Sequence, residues 1–191
     1  MTLNRRIVLK GIGIAGVATV FGTGVGAANG PGKGVAPGEE TIAEIADAAG
    51  FDLLLAAVDY IAETNPDSEL VAGLLNDEQY TVFAPTDDAF TALLEAIELE
   101  SFADIDEALG AGTVEAVVSY HVTTGRRASN SVVPPRGERR IETLLDGARF
   151  TVNAEGAITA VGNTATIVDA DISASNGIIH VIDSVLLPLE L

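Results

Sequence analysis

The fifteen residues Tyr80–Leu94, YTVFAPTDDAFTALL, leave the backbone little choice. Tyr80, Val82 and Ala84 alternate with Thr81 and Phe83 in a β-rich run that can be buried on both faces. Pro85 lacks an amide hydrogen and biases the residue before it away from helix, so the strand must stop there. Thr86 then reads as an N-cap, with Asp87 and Asp88 in a first turn whose dipole favours negative charge. Phe90, Leu93 and Leu94 supply the apolar stripe of a helix. A strand that turns directly into a helix is therefore fixed at the centre of the chain.

Upstream, Thr41-Ile42-Ala43-Glu44 has the capping-box pattern and Gly50 suits a left-handed helix end. Phe51 to about Thr64 carries Leu54, Leu55, Val58 and Ile61 at helical spacing. After Asn65-Pro66-Asp67, Ser68 caps a third short helix with Leu70, Val71, Leu74 and Leu75 facing inward. Downstream, Asp104–Leu109 and Thr113–Ser119 read as helices, and Tyr120-His121-Val122 as the start of a strand. Thr123–Arg140 has no regular period and is read as loop. The period then changes to two. Phe150–Asn153, Ala157–Val161 and Thr164–Asp171 look like a meander, Asn176-Gly177 like a turn, and Ile178–Leu187 like a last apolar strand. Helices first and a meander later make an α+β domain.

Met1–Ala28 reads as a targeting segment. Asn4-Arg5-Arg6-Ile7-Val8-Leu9-Lys10 resembles the twin-arginine export motif, with Asn where Ser or Thr is usual and Val where Phe is usual. A Gly-rich apolar run and the small residues Gly26-Ala27-Ala28 follow. The expectation is export to the cell surface or beyond, with contact to membrane only through this segment if it stays uncleaved. Gly11, Gly13 and Gly16 match a dinucleotide-binding fingerprint, but no strand precedes them, so the match is accidental. Residues 29–40 are Gly/Pro-rich and read as a linker, which leaves 41–191 as the folded domain.

Charge narrows the partners. The chain carries 28 acidic and 10 basic residues, a net charge of −18. Beyond the targeting segment 7 basic residues face 28 acidic ones, and the only lysine is Lys33. That balance excludes a nucleic-acid partner, which needs a basic footprint. A carboxylate excess with almost no lysine is the pattern of a protein kept hydrated in concentrated salt, hence of a halophile.

Three pieces of the chain, read together, resemble the fasciclin domain family over about Thr41 to Leu189. Thr81-Val82-Phe83-Ala84-Pro85-Thr86-Asp87-Asp88-Ala89-Phe90 is similar to the family's first signature and Asn176–Pro188, NGIIHVIDSVLLP, to its second. Tyr120-His121 lies between them, where the family has its Tyr-His pair. The resemblance implies a wedge-shaped α+β fold, a bent β-sandwich with several short helices packed at one side. It also implies a non-enzymatic adhesion module at a cell surface or in a matrix, needing no cofactor. Binding elements implied by it are Tyr120 and His121, and the Asp171-Ile172 step before the second signature.

Other constellations are set against blander explanations. His121 and His180 are the only histidines, and both lie in apolar runs that suit core residues better than a general base. A His-dependent hydrolase is the lesser alternative. Asp87-Asp88 and Asp169-x-Asp171 offer oxygen ligands without the spacing of a calcium loop, so no metal site is expected. Arg126, Arg127, Arg136, Arg139 and Arg140 form the one basic segment. They either dock an acidic polysaccharide or surface protein, or balance the domain's own carboxylates. A purely structural role in a surface layer remains the other non-enzymatic reading.

Overall fold

The computed structural model describes residues 36–75 and 78–189; the twin-arginine segment and most of the linker lie outside them. Among the described residues there are seven helices and seven strands. Helices α1 (Ile42–Ala49), α2 (Asp52–Thr64) and α3 (Glu69–Leu75) precede β1 (Tyr80–Pro85) and α4 (Asp87–Ala96). Helices α5 (Phe102–Leu109) and α6 (Thr113–Tyr120) follow, then β2 (Val122–Thr124), α7 (Ser129–Val132) and β3 (Glu138–Glu142). The chain ends in β4 (Arg149–Asn153), β5 (Ala157–Thr159), β6 (Thr164–Ala174) and β7 (Gly177–Ile182).

The strands form one mixed sheet in the order β2-β1-β7-β6-β5-β4-β3. β1 and β7 are the parallel pair, and every residue of both is buried, including the polar Thr81 and His180 among their apolar neighbours. β6 is the bend. Its first residues pair with β5, its later ones with β7, and register shifts fall between Ile167, Asp169 and Ile172. The bulges let one strand serve both halves of a folded sheet. The two halves enclose a core of Phe83, Phe150, Tyr120, Ile141, Ile158 and Ile182, with Phe83 edge-on to Phe150 at 5.0 Å. The other face of β2-β1-β7 packs on the helices through Val82, Ala84, Val122 and Ile179, against Ala57, Ile61 and Phe90 among others. This is the bent sandwich with helices at one side. Its ends also meet: Leu144 N–H, just past β3, donates to Val122 O of β2 at 2.8 Å.

The predicted Thr41 capping box, the left-handed Gly50 and the Thr86 cap are all present. Four readings change. Tyr120 ends α6 and His121 caps it, so the strand begins only at Val122. The segment read as loop, Thr123–Arg140, holds the end of β2, the short α7 and the start of β3. Ile178–Leu187 is a strand only to Ile182; Val185, Leu186 and Leu187 are buried without ladder pairing. Helix α5 starts at Phe102, because Ser101 already caps it through Asp104 N–H. Residues 36–40 of the linker are also held. Gly38 N–H donates to Ala174 O, and Ser175 N–H to Glu40 O.

Three helices begin at residues that cannot cap them: Phe51, Gly112 and Ala128. In each case a carboxylate from elsewhere takes the free amides. Asp87 accepts from Leu53 N–H of α2 at 3.1 Å. Asp106 accepts from Val114 and Gly112 N–H at the start of α6, and from the Tyr60 hydroxyl. Asp171 does the same for α7. Asn176, in the β6–β7 turn, accepts from Ile42 N–H of α1 and donates to Leu74 O of α3. Behind it, Gly177 allows β7 to close on β1, since a Cβ there would stand 2.2 Å from Tyr80 O.

Candidate functional site

Tyr120 and His121, expected to reach a partner, are core residues. The Tyr120 ring is fully buried edge-on to Phe150 at 5.8 Å, and its hydroxyl donates to Arg149 O at 2.8 Å. Burial raises its pKa. His121 sits at the end of α6 with Nδ1–H donating to Val117 O (2.7 Å) and Nε2 accepting from Leu186 N–H (2.8 Å). Those partners fix a neutral tautomer. Burial pushes its pKa down to about 4, against a smaller upward pull from the Val117 carbonyl. Neither side chain presents anything to solvent.

The Asp171-Ile172 step is structural in the same way. Asp171 lies at the β6 bulge with φ of 64°, in the left-handed region. Its carboxylate accepts from both the amide and the hydroxyl of Ser129, capping α7. Its amide donates to His180 Nδ1 (3.3 Å), while His180 Nε2–H donates to Arg127 O (2.8 Å). Ile172 is half-buried against the helix-side core. His180 is fully buried, and burial lowers its pKa against the carbonyl of Arg127 and the nearby Asp171. Ser129, Asp171 and His180 stand close but form no catalytic relay, because among the described residues the imidazole bonds only to backbone and the serine hydroxyl only to the carboxylate. Among the described residues no group of three His, Cys, Asp or Glu is placed to hold a metal ion.

The five arginines do not converge. Arg126 bonds to Ala36 O, Ser173 Oγ, Ala174 O and Gln79 Oε1, and so ties β6 and residue 36 together. Arg127 Nε–H donates to Thr124 O, and Arg139 to the carbonyls of Asn130 and Ser131. Among the described residues these bonds all go to uncharged oxygens. Arg136, before β3, and Arg140, on β3, are exposed. They are joined by a residue left out of the sequence-derived set. Arg149 is exposed on β4 opposite Glu142, and Arg140 is opposite Thr151, so Arg140 and Arg149 are diagonal neighbours on the outer face of the β3–β4 pair. Strand periodicity could have found it: Arg149 alternates with the buried Phe150.

Comparison with known proteins identifies the family. A family profile described as Fasciclin domain matches residues 56–188. Immunogenic protein MPB70 of Mycobacterium bovis is 36% identical over 127 residues, 66% of this chain and 58% of that protein. Protein sll1483 of Synechocystis is 36% identical over 155 residues, 78% of this chain and 73% of the relative. Human periostin is 30% identical over 122 residues, which make up 63% of this chain but 13% of periostin. The chain thus spans little more than half of the mycobacterial relative's length. Among solved structures, a FAS1 domain pair of the insect cell adhesion molecule Fasciclin I superposes with a TM-score of 0.49 at 16% identity, over 70% of this chain and 44% of that one. With both signatures built into one folded sheet and the profile covering most of the described residues, the chain belongs to the fasciclin domain family.

Proposed function

We propose that this protein is an exported, non-enzymatic binding module that attaches a cell surface or its envelope to an acidic partner, an acidic polysaccharide or an acidic surface protein. The observation that carries the reading is the distribution of charge. Residues 34–125 hold 20 acidic residues and no basic one, whereas residues 126–191 hold 8 acidic and 6 basic. In so acidic a molecule, the exposed Arg136, Arg140 and Arg149 at the β3–β4 face are where a polyanion meets least repulsion. The buried and satisfied state of both histidines supports a module without acid–base chemistry. A relative named cell surface glycolipoprotein MPB83, from Mycobacterium bovis, is 34% identical over 124 residues and supports the location. Among the described residues no helix is long and apolar enough to cross a membrane. In this reading Arg5 and Arg6 route the chain through twin-arginine export, and the carboxylate surface suits concentrated salt.

The test is retention on cells and pull-down from envelope extract at molar salt, comparing the natural chain with Arg136→Ser/Arg140→Ser/Arg149→Ser. Loss of capture by the triple variant, with an unchanged melting curve, is the expected result. Full retention would mean that the protein packs into the envelope without using this face. Export is tested separately by changing Arg5 and Arg6 to Lys, which should leave the precursor inside the cell.

A further inference from the structure

β3 stands last in the strand order, with β4 on one side and no ladder on the other. Thr143 N–H donates to Ala148 O, one step beyond the Glu142–Arg149 pair. In that register Ile141 and Arg139 spend their amides and carbonyls on β4, and the backbone groups of Arg140 and Glu142 point away from it. Contact with β2 takes up the Leu144 amide alone, and among the described residues nothing bonds to the outward backbone of Arg140 or Glu142. Such an edge is a template for another strand, and proteins commonly blunt it with lysine or proline. β3 carries neither. Its exposed side chains, Glu138, Arg140 and Glu142, alternate in sign instead.

We propose that β3 pairs antiparallel with β3 of a second copy of this chain, with Arg140 opposite Glu142 of the partner subunit. Charge selects both the occupant and the register. Pairing through the outward groups sets even-numbered residues opposite even-numbered ones, which leaves two central registers. Centring on Arg140 faces Arg140 with Arg140 and Glu138 with Glu142, like charges directly opposite. Centring on Ile141 faces Arg140 with Glu142 on both sides of the two-fold axis, and opposite charges so placed are stabilising. Each Glu142 then stands between its own Arg149 on β4 and Arg140 of the partner subunit. Ile141 stays buried in its own core, so pairing needs no repacking. The two Arg140–Glu142 pairs exchange both of their backbone bonds, and the ladder stops at Leu144, whose amide already serves Val122. The contact is self-complementary and therefore closes at two copies.

A short ladder makes a weak dimer, so sedimentation equilibrium of the full chain spans about 10 μM to about 1 mM protein. The net charge of −18 drives whole copies apart, and about 0.5 M KCl holds that repulsion well inside the ~10 Å of 0.1 M salt while touching pairs still act. A monomer–dimer equilibrium with no larger species is expected. Glu142→Pro removes an outward N–H and leaves the β3–β4 bonds intact, so it should abolish the dimer with the melting temperature within a few degrees. Arg140→Glu sets Glu opposite Glu and should weaken the dimer about fivefold, and Arg140→Glu/Glu142→Arg should recover most of that loss. Both positions are exposed, so this pair of variants reads association without disturbing the fold. Monomer at every concentration would overturn the proposal, as would a dimer indifferent to Glu142→Pro or to Arg140→Glu. An association through Met1–Ala28 would show itself as such indifference. Glu142→Pro keeps Arg136, Arg140 and Arg149, so loss of the dimer and loss of polyanion capture are read separately.

Discussion

At the scale of single residues, the two histidines make stability depend on pH. Each imidazole spends one nitrogen as donor to a carbonyl and the other as acceptor from an amide, so adding a proton sets N–H against N–H. The folded pKa of His121 is about 4 against an ordinary 6.5. The unfolded chain therefore binds the proton first as pH falls, and stability present above pH 6.5 is lost progressively down to about pH 4. That gap of 2.5 in pKa, at 1.36 kcal/mol per unit, is worth roughly 3 kcal/mol. His180 adds in the same direction. Urea unfolding at pH 7.5 and pH 4.5 should show a large fall in midpoint. His121→Gln should lower stability at neutral pH and flatten that dependence; an unchanged slope would count against the assignment. Gly73→Ala tests packing at the same scale. Its Cβ must displace the Tyr80 ring, which should cost about 1–3 kcal/mol by chemical denaturation.

At the scale of elements, the fold is assembled by carboxylates that cap helices other than their own. Neighbouring aspartates make a sharp comparison. Asp87 is half-buried and bonded to α2, whereas Asp88 is exposed in the first turn of α4. Asp87→Ala should cost about 1–2 kcal/mol and Asp88→Ala only a few tenths, measured by thermal unfolding. Asp106→Ala should cost more than Asp87→Ala, because it strips two amides and a tyrosine hydroxyl at once. This arrangement explains what was legible in the sequence. The caps at Thr41, Ser68, Thr86 and Gly50 act within their own turns, and local chemistry reveals them. Helix α7 was invisible because Ala128 caps nothing; the cap is Asp171, 42 residues away. Apolar composition reads Tyr120-His121 as a strand start because a helix end and a strand start share it, while the same apolar run correctly reads His121 as a core residue. Only tertiary packing shows that both faces there are covered. Spacing along the chain makes the arginines one cluster. The ladder separates them, turning Arg139 inward to α7 and Arg140 outward beside Arg149.

At the scale of the whole molecule, charge segregation predicts a response to salt. Twenty carboxylates without one cation across residues 34–125 repel one another, and the repulsion is screened over about 10 Å at 0.1 M and about 3 Å at 1 M salt. The melting temperature should therefore climb between low and molar KCl or NaCl, and a flat curve would refute the high-salt reading. Most of that gain should belong to the helical part. Neutralising Glu95, Glu100 and Glu107 together should raise stability at low salt and narrow the difference between the two conditions, as judged by melting curves.

The pinning of both ends of the described chain has a mechanical consequence. Residues 36–40 are fastened by Ala174, Ser175 and the Arg126 guanidinium, and residues 185–187 by Asn163, Gly162 and the His121 ring. A module under tension between those ends must shed these fastenings before load reaches the sheet. The first depends on groups that do not titrate in mild acid, whereas the second includes an imidazole that gives up its acceptor on protonation. Under single-molecule pulling, the C-terminal fastening should yield at lower force as pH falls toward 4 while the N-terminal one holds, so acidity would select the end from which the protein lets go.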